Sequence, residues 1–174
     1  MYNAKVRVLG ALEMLTFGFN FLLNNLGKSF VDNVVKERVR PKIGSVVYCE
    51  LLFGAGDHSG IYLGRDKIAH LDGGGQIEVV SSSVFLDRLG GFNSAISIYV
   101  SCRDSSPVGN KKYAERARNH IGVSRDYNVI LDNCHQFTSG CITGDFENAD
   151  NFMWMLKHTA SKSLDVNNWL VWER

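Results

Sequence analysis

His58-Ser-Gly-Ile-Tyr-Leu-Gly-Arg-Asp-Lys-Ile-Ala-His-Leu71 is the stretch that decides the fold, because it reads as a β-hairpin. Apolar and β-branched residues on either side of Gly64-Arg65-Asp66 predict two strands joined by a turn. A turn centred on Arg65 makes His58 and His70 diagonal neighbours on one face, where their side chains can meet. A shift of one residue would place them on opposite faces. The sequence therefore predicts the histidine pair but does not prove it.

Further strands and helices surround this hairpin in the order helix, strands, helices. Strands are predicted at 43–50, 76–80 and 95–100, and helices at 81–89, 110–120 and 134–143. Strands that do not alternate with helices indicate an α+β fold rather than a doubly wound α/β fold. A chain of 174 residues suits one domain with a sizeable core.

Pro41 follows a charged connector at 33–40 and marks a boundary in the chain. We expect an N-terminal helical extension at 1–40, a central domain at 41–144, and a C-terminal helical extension of the same domain at 145–174.

Residues 5–27 are the most apolar stretch and predict an amphipathic helix. Their few polar residues follow a spacing of three and four, which makes one stripe on a helix (Glu13, Thr16, Asn20 and Asn24). The charge-free run from Met14 to Gly27 has 14 residues, fewer than the roughly 18 that a membrane span requires. We favour a helix that packs on the domain. Peripheral contact with a membrane or a partner, and a cleaved signal peptide, are the alternatives.

Composition and cysteine usage exclude several classes of protein. Hydrophobic residues make up 45% of the chain, which is typical of globular proteins. The 19 basic and 18 acidic residues give a net charge of +1, so no nucleic-acid partner is expected. Four cysteines without a C-x-x-C pair predict neither a disulfide scaffold nor a zinc site. We expect free thiols in the cytoplasm and no cofactor or metal.

Cys134 follows two good N-cap residues, Asp132 and Asn133, so it should lie in the first turn of a helix. A helix N-terminus favours a thiolate, and its backbone N–H groups can stabilise an oxyanion. An imidazole nearby would complete the activation of a nucleophile. His135 should point to another side of the helix, which leaves His58 as the better base. The alternative is a buried, inert thiol.

These segments together resemble the lecithin:retinol acyltransferase-like family, a circularly permuted branch of the papain-like NlpC superfamily. His58-Ser-Gly-Ile-Tyr-Leu-Gly64 and Ile68-Ala-His-Leu71 resemble the family's H-W-A-I-Y-V-G and V-V-H-L segments. Asn133-Cys-His-Gln-Phe137 resembles its N-C-E-H-F segment. The likeness covers about 41–144. It implies a permuted papain-like fold in which an antiparallel sheet packs against helices, including the cysteine helix.

The resemblance also implies a mechanism and a substrate class. In this family the first histidine is the base, a second polar residue orients it, and the cysteine attacks an ester or amide carbonyl. Carried over, these residues are His58, His70 and Cys134. The expected activity is that of an acyl hydrolase or acyltransferase on lipid esters, with residues 5–27 reaching a membrane. An amidase or peptidase acting on cell-wall-type peptides, or a non-catalytic binding module, are the alternatives.

Three positions depart from the family pattern. Ser59 replaces tryptophan, His135 replaces glutamate and Gln136 replaces histidine. All three expected catalytic residues are nevertheless present.

Overall fold

Strands and helices alternate little along the computed structural model, which describes residues 37–50, 57–87, 97–125 and 133–174. The strands are β1 (Arg38–Val39), β2 (Val46–Glu50), β3 (Asp57–Gly64), β4 (Lys67–Leu71), β5 (Ile77–Val80), β6 (Ile98–Arg103), β7 (Ser106–Pro107) and β8 (Asn168–Trp172). The helices are α1 (Ser82–Leu86), α2 (Lys111–Asn119), α3 (Cys134–Thr143) and α4 (Met153–Leu164). This mixed sheet with several helices confirms the α+β class. The predicted helix at 5–27 lies outside the described residues.

The β3–β4 hairpin has the predicted register beyond a β-bulge that lies between Tyr62 and Gly64. Ile61 pairs with Ala69 and Tyr62 with Ile68, and both pairs centre on Arg65. Arg65 and Asp66 both have positive φ, at 50° and 58°. Two central residues in this region are typical of a type I′ turn, whose twist matches that of the flanking strands. This register places His58 and His70 on one face of the sheet.

The strands form one sheet in the order β1-β8-β6-β2-β3-β4-β5, and β7 pairs with β6. Neighbouring strands are antiparallel except for β1 and β8, which run parallel. The expectation of an antiparallel sheet is therefore wrong at this edge. Strand β8 lies beside β1, near the start of the described residues, and no local sequence pattern predicts a pairing over such a distance in the chain.

The two outer segments also contribute to the sheet. Arg38–Val39 lies within the expected N-terminal extension, and Asn168–Trp172 lies within the C-terminal segment that was expected to be helical. The C-terminal segment thus supplies both a helix and a strand. The division at residues 40 and 144 stays a prediction.

Apolar side chains cover both faces of the sheet. On one face, Phe137 and Cys141 of α3 pack with residues of β3, β4, α2 and α4. On the other, Phe85 of α1 packs with Val47, Cys49 and Ile68. Helix α3 is thus held against the strands of the hairpin, and the prediction that the cysteine helix packs on the sheet is confirmed.

Helix α3 has the ends that the sequence predicts. The side chain of Asn133 accepts hydrogen bonds from the backbone N–H groups of His135 and Gln136, which satisfies two of the donors that a helix N-terminus leaves open. At the other end Gly144 adopts a left-handed conformation with φ of 92°, which glycine does without a steric penalty. Cys134 is therefore the first residue of a well-defined helix. Within the described ranges, no helix is long and apolar enough to cross a bilayer.

Candidate active site

The two histidines of the hairpin are in direct contact. Nε2 of His58 lies 3.0 Å from Nδ1 of His70, so one of these nitrogens carries the shared proton. The rings are nearly perpendicular, and both pack against the ring of Phe85. His70 is fully buried and His58 nearly so. The phenylalanine and the strand register thus hold the pair in one geometry, as the hairpin predicts.

A carboxylate lies on the far side of this pair. Glu78 is the direct partner of His70 in the β4–β5 register. Its Oε1 lies 3.4 Å from Nε2 of His70, while its side chain stays partly in water. Glu78 is not among the residues that the sequence predicts for the site. The signal that could have found it is the hairpin register extended by one strand, because cross-strand partners share a face.

Cys134 lies against the strand that carries His58. Its Sγ is 3.9 Å from the carbonyl oxygen of Asp57, the residue before His58. The carbonyl oxygen of Cys134 accepts a hydrogen bond from the hydroxyl of Ser59, the residue after it. These two contacts place the start of α3 beside the opening residues of β3, on the face to which Ser59 points.

Burial raises the pKa of the Cys134 thiol to about 11, although hydrogen bonds from the backbone and hydroxyl of Ser59 act in the opposite direction. The thiol is therefore neutral at pH 7 in this state. This loss of hydration opposes the effect of the helix N-terminus, which the sequence predicts to favour the thiolate. A base must take the proton before this sulfur can attack.

His135 also lies beside the sulfur. Its Nδ1 is 3.9 Å from Sγ of Cys134 and 2.9 Å from Oγ of Ser59. The expectation that it points to another side of the helix is wrong, because its ring turns toward β3 and hydrogen-bonds with the Ser59 hydroxyl. Burial, helped by the positive charge of Lys157, lowers the pKa of His135 to about 4. His135 is therefore a neutral hydrogen-bonding group at pH 7.

The structure thus brings two of the three predicted residues together on the face of the sheet that Phe85 covers, whereas the helix that carries the third, Cys134, packs on the other face. His58 and His70 touch, and the polar contacts of the Cys134 sulfur involve Asp57, Ser59 and His135. A proton transfer from the sulfur to His58 stays a prediction. Among the described residues, no three His, Cys, Asp or Glu side chains are grouped so that they could hold a metal ion.

A comparison with protein families matches residues 39–147 of the chain to the lecithin retinol acyltransferase family model. This match spans more than half of the 174 residues. The chain belongs to this family. Membership indicates an activity of the acyltransferase or phospholipase type. The matched region holds the histidine pair and Cys134. No curated protein sequence matched the chain.

Proposed function

We propose that this protein is a cysteine-dependent acyl hydrolase or acyltransferase that acts on lipid esters through an acyl-enzyme on Cys134. One observation carries the proposal: the Cys134 sulfur lies 3.9 Å from the carbonyl oxygen of Asp57, the residue that precedes His58 of the bonded histidine pair. A nucleophile, a base and a group that orients the base are the parts that such a reaction requires. We further propose that the fold is the circularly permuted, NlpC-type version of the papain-like architecture.

In the proposed reaction His58 takes the proton of the Cys134 thiol, and the sulfur attacks the carbonyl carbon of an ester. The carbonyl oxygen becomes an oxyanion, for which the backbone N–H of Cys134 would be the donor, because the N–H groups of His135 and Gln136 are bonded to Asn133. The intermediate collapses to a thioester, and the alcohol leaves with the proton from His58. Water then releases the acid, or an amine or alcohol takes the acyl group.

The neutral, buried thiol makes this base essential. A thiol with a pKa near 11 is almost wholly protonated at pH 7, so attack and proton loss must be coupled. His70 contributes by holding the ring of His58, as the third group does in other nucleophile–base systems.

Intact-mass analysis after incubation with a panel of phospholipids tests the nucleophile. We expect an acyl adduct on the wild type and on Cys102→Ala, a matched control because Cys102 is another buried free cysteine in strand β6. Cys134→Ala should carry none, and His58→Asn should form it far more slowly. An adduct on Cys134→Ala would contradict the assignment. Cleavage of cell-wall muropeptides without any lipid adduct would instead favour an amidase.

We also propose that residues 5–27 bring the protein to a membrane surface, since their sequence predicts a helix that is apolar except for one polar stripe. Flotation with liposomes tests this proposal on the full chain and on a chain that starts at residue 37. Recovery of both in the soluble fraction would contradict it.

A further inference from the structure

We propose that Glu78 is a positioning residue that sets the proton arrangement of the histidine pair. Its carboxylate keeps the proton of His70 on Nε2, so that Nδ1 of His70 accepts a hydrogen bond from Nε2–H of His58. His58 then carries its lone pair on Nδ1, the form in which an imidazole acts as a base. The catalytic consequence rests on the proposed function above, but the proton arrangement does not.

The contact between Glu78 and His70 is fixed by the sheet. The two residues are direct partners in the antiparallel β4–β5 pair, and Ile68 to Leu71 all have partners in that register. Side chains of direct partners point to the same face. The register therefore brings the two side chains to one face, where the rotamer of Glu78 places Oε1 3.4 Å from Nε2 of His70.

The contacts of His70 then decide its tautomer. A neutral imidazole carries one proton, and an ionised carboxylate offers only acceptors. With the proton on Nδ1, the lone pair of Nε2 would face the carboxylate oxygen of Glu78, which is repulsive. With the proton on Nε2, the same contact is attractive, and Nδ1 becomes an acceptor.

The tautomer of His58 follows from that of His70. The 3.0 Å contact needs one donor, and because Nδ1 of His70 is the acceptor, Nε2 of His58 must donate. A neutral His58 then has no proton on Nδ1. When it takes the proton of Cys134 at that atom, it becomes an imidazolium that His70 stabilises by accepting the hydrogen bond from Nε2–H.

NMR of protein labelled with ¹⁵N-histidine tests this arrangement directly, because long-range ¹H–¹⁵N correlations distinguish the two tautomers. The chain has five histidines, so His58→Asn and His70→Asn suffice to assign the pair. In the wild type we expect both rings to be protonated on Nε2. Glu78→Gln removes the negative charge and can present its NH₂ group to Nε2 as well as its oxygen, so the preference should weaken, His70 should shift in part toward protonation on Nδ1, and His58 should shift with it.

Glu115→Gln is the matched control, since Glu115 is an exposed glutamate on α2 away from the pair. It should leave all histidine signals unchanged. Unchanged signals of His58 and His70 in Glu78→Gln would overturn the proposal.

Turnover supplies a second readout. Glu78→Gln should lower kcat on the order of 10-fold with little change in KM, the scale typical of outer partners that orient a functional imidazole. In a His70→Asn background, Glu78→Gln should have little further effect on kcat, because Glu78 acts on His58 only through the imidazole of His70. An unchanged kcat together with altered tautomers would refute the positioning role. A wild type without acyl transfer or hydrolysis would count against the proposed function, and the NMR result would still decide the proton arrangement.

Discussion

Removal of the Asn133 side chain should weaken the helix that carries Cys134 and also its connection to the next segment. Its Oδ1 accepts from the N–H of His135 at 2.9 Å and from that of Gln136 at 3.3 Å. Its Nδ2 donates to the carbonyl oxygen of Asn151 at 2.7 Å. Asn133→Ala removes all three bonds, whereas Asn133→Ser keeps an acceptor for the helix but cannot reach Asn151.

The magnitude follows from these two roles. Loss of an N-cap side chain costs about 1 kcal/mol, and loss of a buried hydrogen bond costs about 1 kcal/mol more. Asn133→Ala should therefore lower the free energy of unfolding by about 2 kcal/mol, and Asn133→Ser by about half of that. With a urea m-value of about 2 kcal/mol/M, the midpoint for Asn133→Ala falls by about 1 M.

Urea denaturation followed by circular dichroism gives these values. Asn110→Ala is the matched control, because Asn110 is the exposed N-cap of α2 and its side chain accepts from the N–H of Lys112. This control should lose only the cap contribution, about 1 kcal/mol. Equal losses for Asn133→Ala and Asn110→Ala would refute the reasoning, since the bond to Asn151 would then contribute nothing.

Three further substitutions probe the surroundings of α3. Because burial lowers the pKa of His135 from 6.5 to about 4, the unfolded chain binds more protons below pH 6.5. His135 therefore makes its full contribution to the free energy of unfolding above pH 6.5 and loses this contribution as the pH falls through 4. Urea midpoints at pH 7 and 4.5 should differ less in His135→Gln than in the wild type. Gly140→Ala puts a methyl group 2.5 Å from Cδ1 of Phe146 and should cost about 1–3 kcal/mol in urea unfolding, and an unchanged midpoint would contradict this packing. Arg116→Ala removes the donors to the carbonyl oxygens of Cys141 and Ile142 at the end of α3, which should lower the free energy of unfolding by about 1–2 kcal/mol in a thermal melt.

Local signals in the sequence were enough for the hairpin and the cysteine helix. The residues Gly64-Arg65-Asp66 predict the turn, but this turn pairs Gly64 with Lys67, and a β-bulge between Tyr62 and Gly64 restores the register that brings His58 and His70 together. Asn133 and Gly144 mark the two ends of α3, and both cap it as expected. Each of these predictions depends on residues close together in the chain, whose geometry depends little on the rest of the fold.

Features that depend on distant parts of the chain were missed. The parallel pairing of β1 with β8 joins residues more than 130 positions apart. The orientation of His135 depends on how closely α3 approaches Ser59 of β3. The high pKa of the Cys134 thiol likewise follows from burial, which the sequence of one helix start does not determine. In each case, the property arises from packing between elements rather than from a pattern within one.

Helix α3 has no face open to solvent along most of its length, since every residue from Cys134 to Ile142 is buried. Such a helix can open only when the surrounding layers separate, so its amide hydrogens should be among the slowest to exchange with deuterium. The nucleophile we propose would then sit on one of the least mobile parts of the molecule. Differences in substrate specificity would have to arise from the residues around this helix, because almost any change of side-chain volume within the helix disturbs the core.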